Sequence, residues 1–456
     1  MSDRKNETIP ITAPETPGRA TVSTRRIHIT TLGCSKNLYD SEILMGQLQA
    51  HRAELVDDPE DAEVIIINTC GFIQPAKEES IQAILEAEQL KKADPSKKVL
   101  VCGCLSQRYA RELRRELPLV DAFFGTEDYA NILKFLEYDQ PSAPDHLYER
   151  RTLSTPGHYA YLKIAEGCNH ICAFCAIPLM RGRHRSRPLP ELTEEARLLA
   201  DRGVKELILI SQDTTFYGLD LYREQKLLPL LQELERISGI EWIRLHYLYP
   251  TTVPDALIDY LAESEKVVPY LDMPVQHITD RMLAIMKRGG NSRRIRQIFE
   301  QARQKIPGVT LRTTLIVGHP GETEADFAAL KDFVQEFQFD RLGVFTYSHE
   351  ENTPAHALED LDPDIKEARY AELMEIQQHI SWQKNQARVG ETLRVLLDEV
   401  AWQTMTAVGR TAGDSPEIDN EVIIESVRRP IRVGEFVEAS VVDASEYELY
   451  AKLGES

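Results

Sequence analysis

The sequence predicts an α/β protein in three parts: an open parallel sheet with helices on its faces, a partial barrel of six β-α units, and a small five-stranded β-barrel. Three observations predict it. Residues 27–138 alternate short apolar runs with helical patterns four times, the signature of a parallel sheet covered by helices. From Tyr159 the alternation resumes with six further apolar runs, fewer than the eight of a closed β/α barrel. After Gly390 the period shortens to five alternating strands, as in a small OB-like barrel.

The chain has 456 residues, enough for about three domains, with 42% hydrophobic and 28% charged residues, the balance of a soluble globular protein. No apolar run approaches the roughly 18 residues that span a bilayer. Residues 1–26 are polar and rich in Thr and Pro, without the apolar centre of a signal peptide, and are read as a disordered tail on a cytoplasmic protein. The net charge of -20 disfavours general nucleic-acid binding and suits a basic partner. Seven cysteines, an odd number, argue for metal or catalysis rather than a disulfide framework.

In the first part, strands are expected at 27–32, 64–68, 99–102 and 122–124, with helices beginning at Asp40, Pro75, Gln107 and Glu127. Cysteines recur at the strand ends: Gly33-Cys34, Cys70-Gly71 and Cys102-Gly103-Cys104. Loops after successive parallel strands gather on one edge of the sheet, so these thiols are expected to converge, with glycines permitting close approach to a cofactor. One buried Cys is ordinary core material. One at each of three strand ends points to a second three-thiolate site, and spacing does not choose between Cys102 and Cys104.

Residues 139–158, with several Pro and Gly among polar residues, read as a linker. Barrel strands are expected at 159–165, 207–211, 242–248, 270–275, 311–317 and 342–347, with helices at 191–202, 227–237, 255–263, 293–305 and 324–337. A long helix, 364–388, leads to strands at 392–397, 405–410, 421–425, 436–442 and 448–452.

Just past the first barrel strand stands Gly167-Cys168-Asn169-His170-Ile171-Cys172-Ala173-Phe174-Cys175. Three thiols at C-x3-C-x2-C spacing suit a four-iron cube whose fourth iron has no protein ligand and stays open to a substrate. Structural zinc would want a fourth ligand from a second pair, and none follows. His170 reads as a hydrogen-bonded loop residue and Phe174 as a shield for the cluster. At the other strand ends, Gln212 and Asp213 are candidates to accept a hydrogen bond from a bound amino group, Asp213 being equally suited to loop capping. Gln276 is a further polar candidate, and Gly318 and Gly321 allow close backbone approach. Of Arg181, Arg183, Arg185 and Arg187, one or two are expected to pair with an anion at the site.

The three-cysteine motif resembles that of the radical S-adenosylmethionine (SAM) superfamily. With thiols on an N-terminal α/β domain and a C-terminal β-domain, the chain resembles the methylthiotransferase family over nearly its full length. That resemblance implies a flavodoxin-like domain (27–138) holding an auxiliary 4Fe-4S cluster, a radical SAM domain (159–386) and a substrate-docking TRAM domain (387–456). It implies Cys34, Cys70 and Cys104 as auxiliary ligands, with Cys102 an extra thiol, and Cys168, Cys172 and Cys175 as ligands of the SAM-binding 4Fe-4S cluster. Gln212, Asp213, Gln276 and Arg185 are its candidate SAM contacts. It also implies two uses of SAM, one to methylate sulfur and one to abstract hydrogen, and a low-potential electron donor such as flavodoxin or ferredoxin.

One branch of this family modifies a transfer-RNA adenosine, the other an aspartate β-carbon of small-subunit ribosomal protein uS12. Thr31-Leu32-Gly33-Cys34-Ser35-Lys36-Asn37, Ala176-Ile177-Pro178-Leu179-Met180-Arg181-Gly182, Gln212-Asp213-Thr214-Thr215 and Tyr347-Ser348-His349-Glu350-Glu351 resemble the ribosomal-protein branch. Two residues depart from it: His319 where Phe is expected and Asn352 where Gly is usual. Residues 387–456 carry 14 acidic and 7 basic residues, which repels phosphate and suits a basic protein, although Arg428, Arg429 and Arg432 form a small basic patch. A non-catalytic iron-sulfur carrier, the reading from another class, needs neither the six-unit barrel nor a docking domain.

Overall fold

The computed structural model describes residues 24–138 and 144–454. Most of the expected N-terminal tail, through residue 23, lies outside the described residues, as do 139–143 of the expected linker. The chain opens with β1 (Arg26–Thr31), α1 (Ser35–Ala50), β2 (Glu54–Leu55), β3 (Val64–Thr69), α2 (Gln74–Ala93), β4 (Lys98–Gly103), α3 (Cys104–Glu116), β5 (Ala122–Phe123) and α4 (Tyr129–Phe135). The strands pair in parallel in the order β2-β1-β3-β4-β5. Central β3 is buried from end to end, as a strand covered on both faces requires. Its Ile65 and Ile67 join a cluster with Ile84 of α2 and Leu105 of α3, while Val64 and Ile66 join Leu44 of α1 and Ile132 of α4.

The order reverses between β1 and β3, the place where sheets of this flavodoxin-like order bind ligands beyond their carboxyl ends. The two-residue β2 was not expected, because two residues show no period. Helix α1 starts five residues before the expected Asp40. Its buried face carries Lys36, Asn37, Asp40, Ser41 and Glu42, so it lacks the apolar stripe from which a helix is normally read.

The stretch expected to be a linker is more than a connection. It contains a 3-10 helix, Pro144–Arg150, followed by the fully buried Arg151. Arg151 donates to Glu42 Oε2 of α1 (2.6 and 2.8 Å) and to Glu195 Oε1 (2.8 Å), fastening the first domain to the second. A buried guanidinium between two carboxylates is tolerated because each charge is paired.

The barrel runs β6 (Tyr159–Lys163), β7 (Ala165–Glu166), α5 (Ile177–Arg181), β8 (Arg185–Ser186), α6 (Leu189–Asp201), β9 (Glu206–Ile210), α7 (Leu227–Glu235), β10 (Trp242–Leu245), α8 (Asp255–Glu263), β11 (Tyr270–Asp272), α9 (Asp280–Ile285), α10 (Ser292–Lys305), β12 (Thr310–Val317), α11 (Glu324–Phe337) and β13 (Arg341–Thr346). Six parallel strands form two three-stranded sheets, β6-β9-β10 and β11-β12-β13. A bridge between Ile243 and Val267 and the Leu248 N–H to Asp272 carbonyl bond (2.9 Å) join the sheets. Alternate residues face outward into one apolar core under the helices, among them Leu162, Leu209, Leu245, Leu271 and Leu315. The expected first strand is split. Ala165–Glu166 leaves it to pair antiparallel with Arg185–Ser186, which closes the base of the cysteine loop.

Helix α12 (Pro363–Ala387) packs on α11 and β13 and leads to a closed barrel of β14 (Thr392–Ala401), β15 (Thr406–Arg410), β16 (Glu421–Ile424), β17 (Phe436–Ala444) and β18 (Glu448–Leu453). Its 410–419 segment reaches the amino ends of all six strands of the second domain. Tyr159 donates to Glu417, Tyr270 to Asp419 and Arg244 to the Ala412 carbonyl (3.0, 2.6 and 2.9 Å). Arg410 pairs with Glu206 (2.7 Å), Arg312 with Asp419 (3.4 Å) and Arg341 with Asp414. The C-terminal domain therefore forms the floor of the larger barrel. Among the described residues, no helix is long and apolar enough to cross a membrane.

Candidate active site

The carboxyl ends of the barrel strands carry the C-x3-C-x2-C loop. Its root is tight: Gly167 has φ +78°, and a Cβ there would lie 2.2 Å from the Arg183 carbonyl oxygen. Within the loop, the Cys175 N–H donates to the Cys172 carbonyl (3.1 Å) and the His170 N–H to Cys168 Sγ (3.4 Å). His170 lies flat on Tyr249, ring centroids 3.6 Å apart, with Nε2 2.6 Å from Asp213 Oδ2. It is the hydrogen-bonded loop residue expected. Arg288 stacks on the other partner of this group, Tyr249, and donates to Cys172 Sγ (3.5 Å). Burial pushes the thiols of Cys168 and Cys175 up to about 11 and about 12, so in the metal-free chain they are protonated. Iron would displace those protons, as it does when binding thiolate ligands.

Across from this loop, Cys34 caps α1, Cys70 follows β3 and Cys104 opens α3. Gly33 holds two of them close: a Cβ on it would meet Cys70 Cβ at 2.7 Å and Sγ at 2.9 Å. Cys104 Sγ faces Asn37 Oδ1 (3.7 Å), and the Cys104 thiol, raised by burial to about 12, lies near the Arg181 cation and the Cys34 and Cys70 thiols. Cys102, only two residues away, points the other way. It is packed with Ile27, Leu44, Leu48 and Leu100 in the sheet core, and burial drives its thiol well above the ordinary range. The choice that spacing leaves open is thus made where the chain leaves β4: Gly103, at φ +92°, turns the backbone so that Cys104 opens α3 instead of continuing the strand face of Leu100 and Cys102.

Between the two sets of thiols runs α5. It starts two residues after Cys175, Ala176 and Met180 pack on Cys104, and its last residue is Arg181. The buried Arg181 Nη1 donates to Asp40 Oδ2 and Glu166 Oε2 (both 2.9 Å), and Nη2 to Asn37 Oδ1 (2.5 Å). Asp40, Glu127 and Glu166 would be near enough to share a cation. That place is filled by the ammonium of Lys163, which reaches them at 2.5, 2.8 and 2.8 Å. Burial alone would raise the Glu166 carboxyl, yet Lys163 and Arg181 hold it well below the carboxylate range.

Of the candidate cofactor contacts, Gln212 donates to Glu166 Oε1 (3.0 Å) and keeps its own amide oxygen buried without a partner. That oxygen suits an incoming amino donor. Gln276 sits at φ +73° after β11, a conformation rare for Gln and often kept at functional strand ends, and its half-buried side chain has no hydrogen-bond partner among the described residues. Asp213 is already committed: its carboxylate accepts from Thr215, the Phe216 N–H and His170 (2.6, 3.1 and 2.6 Å), so it caps the loop rather than waiting for a ligand. Arg185 is exposed and pairs with Glu127 of the first domain (2.8 Å). Of the four arginines, Arg183 is exposed, Arg187 pairs with Glu195, and Arg181 alone stands beside the thiols.

His319, where Phe was expected, fills an aromatic position against Phe174 and Tyr347 and, with its pKa lowered by burial, is neutral. Asn352 takes φ +63°, the left-handed turn that explains Asn in place of Gly. The adjacent Glu350 is buried and joins Lys77 (2.9 Å) and Arg108 (2.7 Å) of the first domain, an anchorage invisible to local patterns.

A parallel-sheet domain and a six-stranded barrel, each presenting three converging cysteines at its carboxyl edge, define a radical SAM enzyme. Three family models match in register with the domains: Uncharacterized protein family UPF0004 over residues 26–125, the Radical SAM superfamily over 162–334 and the TRAM domain over 389–453. The radical SAM methyltransferase TsrM from Kitasatospora setae has a similar fold, with TM-scores of 0.53 and 0.54 in two structures at 15% identity, covering 70% and 73% of this chain and 73% and 74% of that one. Similarity to curated proteins is closer. Ribosomal protein uS12 methylthiotransferase RimO of Flavobacterium johnsoniae is 49% identical over 94% of this chain and 98% of its own, and that of Aquifex aeolicus 50% identical over 93% and 96%. The chain belongs to the RimO family of radical SAM methylthiotransferases.

Proposed function

We propose that this enzyme adds a methylthio group to the β-carbon of an aspartate in ribosomal protein uS12. The observation that carries the reading is the pair of three-thiol sets joined by α5, one in the barrel mouth and one on the neighbouring sheet edge. Cys168, Cys172 and Cys175 hold the 4Fe-4S cluster that takes SAM, and Cys34, Cys70 and Cys104 hold the auxiliary cluster. When bound and reduced, the first supplies with SAM a 5'-deoxyadenosyl radical able to take hydrogen from an unactivated carbon, and the second carries the sulfur.

The chain's own residues arrange this chemistry. Gln212 and Gln276 offer amide groups to SAM, and Arg288 with Tyr249 buttresses Cys172. The acidic C-terminal domain favours a basic protein over RNA as substrate. In its basic patch Arg429 is already paired with Glu435. A low-potential flavodoxin or ferredoxin is the electron donor, and the enzyme works in the cytoplasm beside the ribosome.

The test is anaerobically reconstituted, reduced enzyme given SAM and either recombinant uS12 or unmodified transfer RNA, with products read by mass spectrometry. A methylthio mass increase on an aspartate of uS12 is expected. An increase on an adenosine instead would replace the substrate assignment, and intact SAM with neither product would overturn the enzymatic reading. Cys168→Ala is expected to abolish SAM cleavage, whereas Cys34→Ala should leave cleavage and stop methylthiolation.

A further inference from the structure

Arg181 is a buried cation beside the N-terminal thiols that is also tied, through Glu166, to the root of the barrel loop. It ends the short helix that begins beside Cys175, and that helix packs on Cys104. Its guanidinium reaches Glu166, which precedes the Gly167-Cys168 root of the barrel loop and whose Oε1 accepts from the Gly167 N–H (3.2 Å). On the other side it reaches Asn37, whose amide nitrogen donates to the Leu32 and Thr69 carbonyls (2.7 and 3.0 Å), the backbone just before Gly33-Cys34 and Cys70. One oxygen, Asn37 Oδ1, thus receives Arg181 and faces Cys104 Sγ. The side chain is buried, so its charge acts through little intervening water.

We propose that Arg181 is a positioning residue that couples the two cysteine sites, fixing Asn37 against the N-terminal thiols and lending that site a buried positive charge. This rests on the reading that Cys34, Cys70 and Cys104 hold an iron-sulfur cluster. A positive charge beside a cluster favours its reduced, more negative form, so Arg181 raises the auxiliary potential. The neighbourhood is otherwise acidic: Asp40, Glu127 and Glu166 face the same space, where Lys163 reaches all three and Arg181 reaches Asp40 and Glu166.

The experiment uses the full chain carrying Cys168→Ala, Cys172→Ala and Cys175→Ala, so that only the N-terminal set loads iron and sulfide. Its midpoint potential is read by redox titration followed by electron paramagnetic resonance. Arg181→Gln is expected to load the same iron as this parent and to titrate at a more negative potential. Arg181→Lys, which keeps the charge, is expected to stay near the parent. Asn37→Ser, which leaves Arg181 in place but removes its bridge, is expected to shift the potential the same way by less, and it decides the matter if Arg181→Gln does not fold. Unchanged potentials in Arg181→Gln, or in Asn37→Ser where that variant decides, overturn the proposal alone. A parent that takes up no iron overturns the reading of the three thiols and this proposal with it.

Discussion

Gly33 shows how much of the site depends on a missing side chain. With φ +92° and Cys70 packed where its Cβ would be, it lets two thiols approach that a methyl group would separate. Gly33→Ala is expected to lose the N-terminal iron while the barrel set still loads, measured by iron and sulfide analysis, and to cost about 1–3 kcal/mol from backbone strain. Cys102→Ala should leave iron content unchanged and lower stability by only about 1 kcal/mol, the effect of a small cavity in a sheet core. The sequence made the barrel thiols legible through their spacing, and Cys34 and Cys70 through their place at strand ends. It left Cys102 and Cys104 equivalent because the residue at which the strand ends and the chain turns, Gly103, is not marked by any period, and Asp213 ambiguous because capping and ligand binding ask for the same carboxylate.

At the scale of elements, α1 and α5 do the joining. Neither reads as a conventional amphipathic helix, since α1 buries Lys36, Asn37, Asp40 and Glu42 against the barrel and α5 is five residues long. Strands and helices were legible from periodicity; these contact faces were not, because most of their partners lie in the other domain, tens to more than a hundred residues away. The Glu350 anchorage is of the same kind. Burial would raise its carboxyl, but Lys77, Ser348 and Arg108 more than offset this and hold it below the ordinary value of 4.5. Its stabilisation is therefore complete above that value and fades as the pH falls through the lower, folded one. Glu350→Gln is expected to lower stability by about 3 kcal/mol at neutral pH. In calorimetric melts, the gap between wild type and variant should narrow below pH 4.5.

For the whole molecule, the order of three domains follows from where the sequence period changes, and the family resemblance added their roles. What no period announces is that the last domain closes the middle one. Arg244, Arg312 and Arg341, with His246 held neutral by burial, end on the 410–419 segment or beside it. Ending the chain at residue 388 is expected to leave Arg341 without its carboxylate and Arg244 and Arg312 with only Glu206 and Asp272, and to lower the melting temperature of the remaining two domains, read by calorimetry against the full chain. A smaller lesion, Asp414→Ala, strands Arg341 alone and should show the same direction at about 3 kcal/mol. The floor also imposes an order in time. A ribosome delivers the chain from its amino end and domains fold as they emerge, so every cysteine is in place before the segment that seals the chamber has been made. Until that segment has been made, the amino ends of the six barrel strands stand without their cover, so the middle domain is completed by a later part of the chain.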